Sequence, residues 1–506
     1  MNQIRAGAIL NYLIIGLNTI VGLAYTPYML RCLGQTEYGL YSLVASIIAY
    51  LTILDFGFGN AIVRYTAKYR AEEKHEEQWR MFGMFLIVFT IIGVIALSIG
   101  LILYYKIDLL FDNTMTAFEI KQAQIMMLLL SINMAFTFPL SIFGSIITAY
   151  EDFIFQKILQ ITRLLLCTGT IVVLLGYGYK AISMVVVQTV FNLGVLIANY
   201  VYCKKNIKIK ISFKGIKWTF LKEIGVYSFW IFLSSIIDRI YWSTGQFVLG
   251  AISGTLAVAV FSVAITLQQM YMTFSGAISN VLLPRIVKIV HNNKSTSELS
   301  SIFIKAGRLQ AIIMLLVLFG FIVFGKKFIE YWAGDGYIES FYIALLFFFS
   351  LFIPLVQSVG FCILQAKNCL KFRSLSYLII AIVSLLGQII LSKEYGAIGC
   401  SIAISFALLL GQGLIMNFYY QKYQQLNIIS FWKEILKLAI FPFMLSFLWV
   451  ILDLNKFLVH SIGTLLVGMS IFTLIYFIGQ YYISMNKDEQ YYIISAGKYL
   501  KKKYAK

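Results

Sequence analysis

The chain has 506 residues, 60% of them hydrophobic and 12% charged, with only five prolines. Such a composition excludes an ordinary soluble domain, and apolar runs of about 20 residues without strand-like alternation exclude a transmembrane barrel. The net charge of +19 does not indicate nucleic-acid binding, because the excess lysine and arginine lie in the joints between apolar runs, where membrane topology accounts for them. The sequence therefore predicts an all-α integral membrane protein.

Hydropathy and length predict about 14 transmembrane helices. The first is expected to be retained, because no small-residue cleavage site follows it at signal-peptide distance. A break or bend is expected near Pro27 and an interruption near Pro139, since proline removes a helical hydrogen bond. In chain order the predicted helices are Ile9–Leu30, Tyr38–Val63, Met81–Tyr104, Gln124–Ile147, Ile158–Leu175, Ile182–Tyr202, Ile224–Leu249, Thr255–Leu283, Ala306–Phe328, Tyr342–Leu364, Leu375–Leu391, Ala397–Tyr420, Leu436–Leu452 and Ser461–Ile483.

The distribution of positive charge orients these helices. If the N-terminus is cytoplasmic, 32 of the 41 lysines and arginines fall on the inner side, 8 fall outside and Arg239 lies within a span. This excess in short inner loops is the positive-inside pattern, and it places both termini in the cytoplasm.

An internal repeat divides the chain into two similar halves. Leu33-Gly34 recurs as Leu249-Gly250 and Pro139-Leu140 recurs as Pro354-Leu355, at offsets of 216 and 215 residues. Each half holds an even number of spans, so the halves share one orientation and are expected to enclose a central cavity. The predicted organisation is an N-terminal six-helix lobe at 1–203, a basic cytoplasmic linker at 204–222, a C-terminal six-helix lobe at 223–421, and a final helix pair with a basic cytoplasmic tail at 422–506.

Charged side chains in the span near 224–250 give the first indication of a site. Asp238 and Arg239 lie near its midpoint, where an isolated charge costs on the order of 3 to 10 kcal/mol and normally faces a partner or a watery cavity. Arg239, Ser243 and Gln246 recur at helical spacing and share a face. A cavity-lining role and a buried ion pair with another helix both explain this pattern.

Other polar residues within predicted spans could line the same cavity: Asn18, Asp55, Asn133 and Gln268. Asp55 precedes two glycines, which either form a hinge or allow close helix packing. Its carboxylate could instead pair with Arg64 or Arg239. The histidines and cysteines lack metal-ligand spacing, so neither a metal site nor a catalytic residue is predicted.

The sequence resembles the polysaccharide flippase branch, the Wzx-type O-antigen or repeat-unit translocases, of the multidrug/oligosaccharidyl-lipid/polysaccharide exporter superfamily. The similarity covers essentially the whole chain and the plan of twelve helices plus a terminal pair. The segments that carry it are 33–41 (LGQTEYGLY), 54–60 (LDFGFGN), Asp238-Arg239 leading to Leu249-Gly250, and Leu283-Pro284-Arg285.

The resemblance implies export of an undecaprenyl-pyrophosphate-linked glycan from the cytoplasmic to the outer leaflet of a bacterial inner membrane, without ATP hydrolysis. Arg239 is then the expected central cation for the pyrophosphate, since charge attraction is strong in a low-dielectric cleft. Arg64 and Arg285 would collect the head group at the inner mouth, unless they only set topology. Coupling to protons or sodium is proposed in this family, and Asp55 and Asp238 are the carboxylates deep enough to serve. Membrane lipids, a polymerase and a chain-length regulator are the expected partners.

Two other classes of protein remain as alternatives. A drug or small-cation exporter of the related multidrug branch would favour carboxylates over a central arginine. A membrane enzyme of polysaccharide assembly, such as a polymerase or ligase, would need catalytic residues on a sizeable outer loop. The predicted outer joints are short, with the longest at 105–123, so a transporter is favoured over an enzyme.

Overall fold

The computed structural model describes residues 3–215, 219–291, 296–367 and 369–490. Within these ranges every regular element is helical, and apolar composition with few prolines explains why the backbone bonds are satisfied inside each segment. The α-helices are α1 Gln3–Leu33, α2 Gln35–Leu51, α3 Phe58–Ala71, α4 His75–Phe111, α5 Ala117–Ala149, α6 Phe153–Gly176, α7 Ala181–Tyr202, α8 Thr219–Trp242, α9 Thr244–His291, α10 Thr296–Trp332, α11 Glu339–Val356, α12 Ser358–Ala366, α13 Leu370–Leu408, α14 Met416–Lys422, α15 Ile428–Ile451, α16 Leu454–Leu458 and α17 Ile462–Gly479.

Twelve stretches of the described chain are long and apolar enough to cross a membrane. One of them, Phe232–Gly276, has 45 residues, although a single crossing needs only about 20. Gly254 inside it has non-helical backbone angles. Gln246 Nε2 lies 2.8 Å from Ser262 Oγ, sixteen positions away, whereas a straight helix would separate these residues by about 24 Å. The chain therefore folds back at Gly254.

A second long stretch, Leu370–Lys422, behaves in the same way. It has 53 residues and contains Gly396 with a positive φ of 53°. The Gln388 amide oxygen and Cys400 Sγ approach to 3.7 Å across twelve positions, where a straight helix would place the residues about 18 Å apart. Two folded stretches among twelve are compatible with the predicted count of about 14 crossings.

The chain divides into two compact units. The first comprises Met1–Ser262 and Ala381–Cys400, and the second comprises Val263–Ile380 and Ser401–Lys506. The predicted lobes, linker and terminal pair, at 1–203, 204–222, 223–421 and 422–506, remain a prediction about organisation.

Small residues allow helices α4 and α5 of the first unit to pack closely. A Cβ on Gly93 would lie 2.6 Å from the carbonyl oxygen of Ala135, and one on Gly100 would lie 1.9 Å from Ser131 Oγ. Close backbone approach of this kind is how membrane helices gain packing energy without a hydrophobic driving force. The two helices therefore act as one rigid pair within the first unit.

In the second unit, the last two long helices pack on α10. A buried cluster joins Phe324 of α10, Trp449 of α15 and Phe472 of α17, with edge-to-face ring contacts among the three. Other large apolar side chains of the same helices, including Leu436 and Leu474, are exposed. Exposed apolar faces of this extent are typical of a lipid-facing surface.

The expected breaks at proline are not found. Pro27 and Pro139 both lie inside continuous helices, α1 and α5. Neighbouring helices and local adjustments satisfy the carbonyl that proline frees, which is why membrane helices tolerate it. The second predicted span, Tyr38–Val63, is instead interrupted at Phe56 and Gly57.

Candidate functional site

The interruption in the second span has a defined geometry. Helix α2 passes into a short 3₁₀ turn, Thr52–Asp55, after which Phe56 and Gly57 adopt positive φ angles of 51° and 72°. A phenylalanine rarely adopts this conformation, which costs on the order of 1–3 kcal/mol and persists only where the surroundings enforce it. The Phe56 ring stacks on Phe232 of α8 at a centroid distance of 4.7 Å. Helix α8 thus holds the break in place.

Asp55 closes the N-terminal end of the helix that follows the break. The backbone N–H groups of Gly57 and Gly59 donate hydrogen bonds to its carboxyl group. The first N–H groups of a helix have no partner within the helix, and an acceptor carboxylate there also interacts favourably with the helix dipole. These bonds explain Asp55 without an arginine partner, so neither Arg64 nor Arg239 is needed to balance it.

Arg239 reaches the same break from helix α8. Its Nη2 donates to Thr52 Oγ1 at 3.0 Å, and the Thr52 hydroxyl in turn donates to the carbonyl oxygen of Ala49 at 2.6 Å. Nearby, Tyr50 and Thr244 are hydrogen-bonded through their hydroxyl groups. The Arg239 side chain is half-buried, while Asp238 beside it is exposed. A hydrogen bond therefore holds the Arg239 guanidinium at the break in the second membrane-length segment.

The helix that was predicted to carry Arg239, Ser243 and Gln246 on one face is interrupted at one residue. Helix α8 ends at Trp242 and α9 begins at Thr244, with Ser243 between them. The Arg239 carbonyl accepts both the Ser243 N–H at 2.9 Å and the Thr244 hydroxyl at 3.2 Å. Ser243 is buried, and the Gln246 amide donates to Ser262 Oγ. In this conformation both of these predicted substrate contacts face protein.

The remaining predicted site residues lie on other helices, namely α1, α5 and α9. The Asn133 amide oxygen accepts from Asn192 Nδ2 at 2.9 Å, in a half-buried contact between α5 and α7. Asn18 is exposed on α1. Gln268 is buried in the second unit, where its amide contacts the Met272 sulfur.

The structure describes the side chain of only one of the two arginines that were predicted to collect the head group. Arg64 is exposed on α3, with its guanidinium 5.9 Å from the centre of the Tyr65 ring. Arg285 lies within α9, but its side chain is outside the part of the chain that the structure describes.

Sequence reasoning missed three residues that the structure makes prominent: Thr52, Asn192 and Arg308. Thr52 and Asn192 gave no signal, because a threonine or asparagine in a membrane helix is unremarkable until its partner is known. Arg308 lies at the start of the predicted span Ala306–Phe328 and was not singled out there, yet its side chain is only 2% exposed. Its position could have indicated this burial, because a long apolar run of the same helix follows Arg308.

Every regular element of the described residues is helical, and the second membrane-length segment is broken beside the half-buried Arg239. This arrangement is typical of a secondary transporter. Known proteins agree with this class. The chain matches the family described as "Polysaccharide biosynthesis protein" over residues 4–290, more than half of its length, and it belongs to that family.

One curated relative and two solved structures illustrate the similarity. The chain is 22% identical to the "Putative O-antigen transporter" of Shigella flexneri over 412 residues, covering 79% of this chain and 94% of that protein. The structure titled "Lipid II flippase MurJ, inward closed conformation" aligns with a TM-score of 0.71 at 18% identity, covering 93% of this chain and 97% of the other. An inward-facing multidrug resistance MATE family transporter of the MOP superfamily aligns with a TM-score of 0.59 at 16% identity, covering 84% and 99%. At these identities the two structures show a shared fold, and that fold is the one expected from the resemblance.

Proposed function

We propose that the protein flips a polyprenyl-pyrophosphate-linked oligosaccharide, an O-antigen or capsule repeat unit, from the cytoplasmic to the outer leaflet by alternating access. The observation that carries this proposal is Arg239, a half-buried cation held by Thr52 at the break in the second span. A pyrophosphate head group is anionic and cannot cross hydrocarbon unaided, so a fixed cation in a low-dielectric region is the feature it needs. Membership of the polysaccharide biosynthesis family and the similarity to an O-antigen transporter support the same substrate class.

The break supplies a place where the segment can change shape. Broken helices line substrate sites in many transporters, because backbone groups freed from the helix can then face a cavity. Substrate pyrophosphate would compete with Thr52 for the Arg239 guanidinium, whose five donors can bind two phosphate oxygens at once. Release of Thr52 would then loosen the turn that it occupies.

The setting of this activity follows from the sequence. We place the protein in the bacterial inner membrane, as the resemblance to polysaccharide flippases implies, with both termini cytoplasmic, as the positive-inside pattern predicts. Transport without ATP hydrolysis makes the chain a transporter and not an enzyme, with a polymerase and a chain-length regulator acting on its product. Asp55 or Asp238 would serve if a proton or sodium gradient drives the cycle.

The test replaces Arg239 in a strain that displays the glycan. Arg239→Ala should reduce surface glycan roughly tenfold or more, the loss expected for a charge-assisted hydrogen bond at a site of low dielectric. Arg239→Lys should retain part of the display, because it keeps the charge but not the bidentate geometry.

The matched control is Arg80→Ala, which removes an exposed arginine paired with Glu76. Membrane insertion of every variant is measured by immunoblot of the membrane fraction. Normal glycan display by a fully inserted Arg239→Ala protein would contradict the proposal. A drug exporter would instead lose resistance to a cationic dye while glycan display stayed intact.

A further inference from the structure

A cavity of about 500 Å³ lies in the second unit, whereas the break that holds Arg239 belongs to the first. It is bounded by the N-terminal turns of α10 and α15 and by the segment that follows α17. Ser297, Ser301 and Lys305 recur at four-residue spacing along α10 and form one side of it. The volume falls in the range of small-molecule pockets in proteins, about 300–1,000 Å³.

The floor of the cavity is a buried ion cluster that is already satisfied. Arg308 donates from Nε to Glu489 at 2.7 Å, from Nη1 to Glu434 at 2.6 Å, and from Nη2 to Glu489 at 2.8 Å. Arg308 Nη2 also donates to the Ser484 carbonyl at 2.9 Å. Because these donors are committed to protein, Arg308 fixes the shape of the cavity and leaves ligand binding to the rim.

The rim carries an ion pair of a different kind. Lys305 Nζ lies 2.9 Å from Asp488 Oδ2, and the two side chains are 63% and 66% exposed. An ion pair this exposed contributes little to stability, so its partners can be exchanged at small cost. A ligand that carries both a phosphate and an ammonium group could take both partners at once and leave no unbalanced charge.

Two further features favour a phosphate at the rim. Ser297 lies in the first turn of α10, and Asn427 caps α15 by accepting from the Ser430 N–H at 3.0 Å. Helix N-terminal turns carry partial positive charge and attract anions. The first turn of α10 lies on the same side of the cavity as Lys305, whereas Asp488 offers the acceptor that an ammonium group needs.

The other end of the cavity is apolar. Ile304 and Leu309 line it, and Leu309 is exposed. A ligand whose polar head lies at Lys305 could therefore pass an acyl chain along Leu309 toward the exposed apolar faces of α10 and α15. The positive-inside pattern assigns this end of α10 to the cytoplasmic leaflet.

We propose that this cavity is a binding site for the head group of a zwitterionic aminophospholipid from the cytoplasmic leaflet, with phosphate at Lys305 and ammonium at Asp488. The site is separate from the glycan pathway proposed above. Its occupancy can be measured without transport, so failure of one proposal leaves the other intact.

The experiment measures lipid retained by the detergent-purified full chain using native mass spectrometry. The probes are dioleoyl phosphatidylethanolamine, phosphatidylglycerol and phosphatidylcholine, each at the same concentration, with inorganic phosphate as a competitor. Phosphatidylethanolamine should be retained in preference to the others, because phosphatidylglycerol leaves Asp488 unneutralised and the choline group cannot donate a hydrogen bond. The double variant Lys305→Ala/Asp488→Ala should reduce its retention roughly tenfold or more, as expected on losing two charge-assisted contacts.

Two further variants separate binding from general effects. Ser301→Trp should also reduce retention, by filling the cavity while keeping both charges. Lys327→Ala removes an exposed lysine of the same helix, paired with Glu330, and should retain the lipid as the wild type does. Equal retention of the three lipids, preference for phosphatidylglycerol, displacement by equimolar inorganic phosphate, or an equal loss in Lys327→Ala would each overturn the proposal.

Discussion

Replacing Arg308 by alanine tests how the C-terminal segment is held to the second unit. The guanidinium is 2% exposed and bridges Glu434 of α15 and Glu489, which follows α17. Its removal leaves the Glu489 side chain, only 9% exposed, without its cation. Breaking a buried ion pair in this way costs about 3–5 kcal/mol, because an uncompensated charge stays in a low-dielectric site.

The chain supplies a matched control on the same cluster. Lys437 pairs with Glu434 from the exposed side, and the lysine is 65% exposed. Lys437→Ala should therefore change the free energy of unfolding by no more than about 1 kcal/mol. Both variants remove a cation from Glu434, but only Arg308→Ala also leaves the buried Glu489 without its cation.

The assay is unfolding in mixed micelles by titration with dodecyl sulfate, followed by tryptophan fluorescence. A double-mutant cycle of Arg308→Ala with Glu489→Gln should give a coupling energy of about 1–3 kcal/mol, as expected for residues in one network. An Arg308→Ala variant no less stable than Lys437→Ala, or strict additivity in the cycle, would refute the assignment of Arg308 as the anchor.

Three other outcomes are expected. Gly39→Ala should destabilise the protein by about 1–3 kcal/mol in the same assay, because its Cβ would lie 1.9 Å from the Thr255 carbonyl oxygen, whereas Gly16→Ala has open space and should be close to neutral; equal effects would contradict this packing. Asp55→Ala should lower the free energy of unfolding by about 0.5–2 kcal/mol, because the helix loses its cap, and Asp55→Asn should lower it much less. If a stable Asp55→Asn protein loses gradient-dependent transport, Asp55 takes part in ion coupling. An alkaline phosphatase fused after Lys205 should be inactive and a cytoplasmic reporter active; the reverse would disprove the predicted topology.

The helical architecture was predictable because it depends on composition and run length. The joint expected before Thr255 corresponds to the fold-back at Gly254, which the Gln246 contact to Ser262 demonstrates. The breaks expected at Pro27 and Pro139 are absent, since both lie in unbroken helices; membrane helices tolerate proline where neighbouring groups satisfy the freed carbonyl. Local sequence cannot report such compensation.

The site was predictable in part. Arg239 and Asp55 were identifiable because charge inside an apolar run is costly wherever it occurs. The partner of Arg239 was not, because Thr52 lies 187 positions away and only the tertiary fold selects it. The positive φ at Phe56 was equally hidden, since the stack on Phe232 that accompanies it comes from another helix.

The ion cluster around Arg308 has a consequence for biosynthesis. Glu489 is translated 181 residues after Arg308, and Glu434 126 residues after it. At a synthesis rate of about 5–20 residues per second, Glu489 is added roughly 10–40 seconds after Arg308. During that interval we expect α10 to remain incompletely integrated at the translocon. A ribosome that stalls before Glu489 would then leave a nascent chain with an unpaired arginine, which quality-control proteases could recognise.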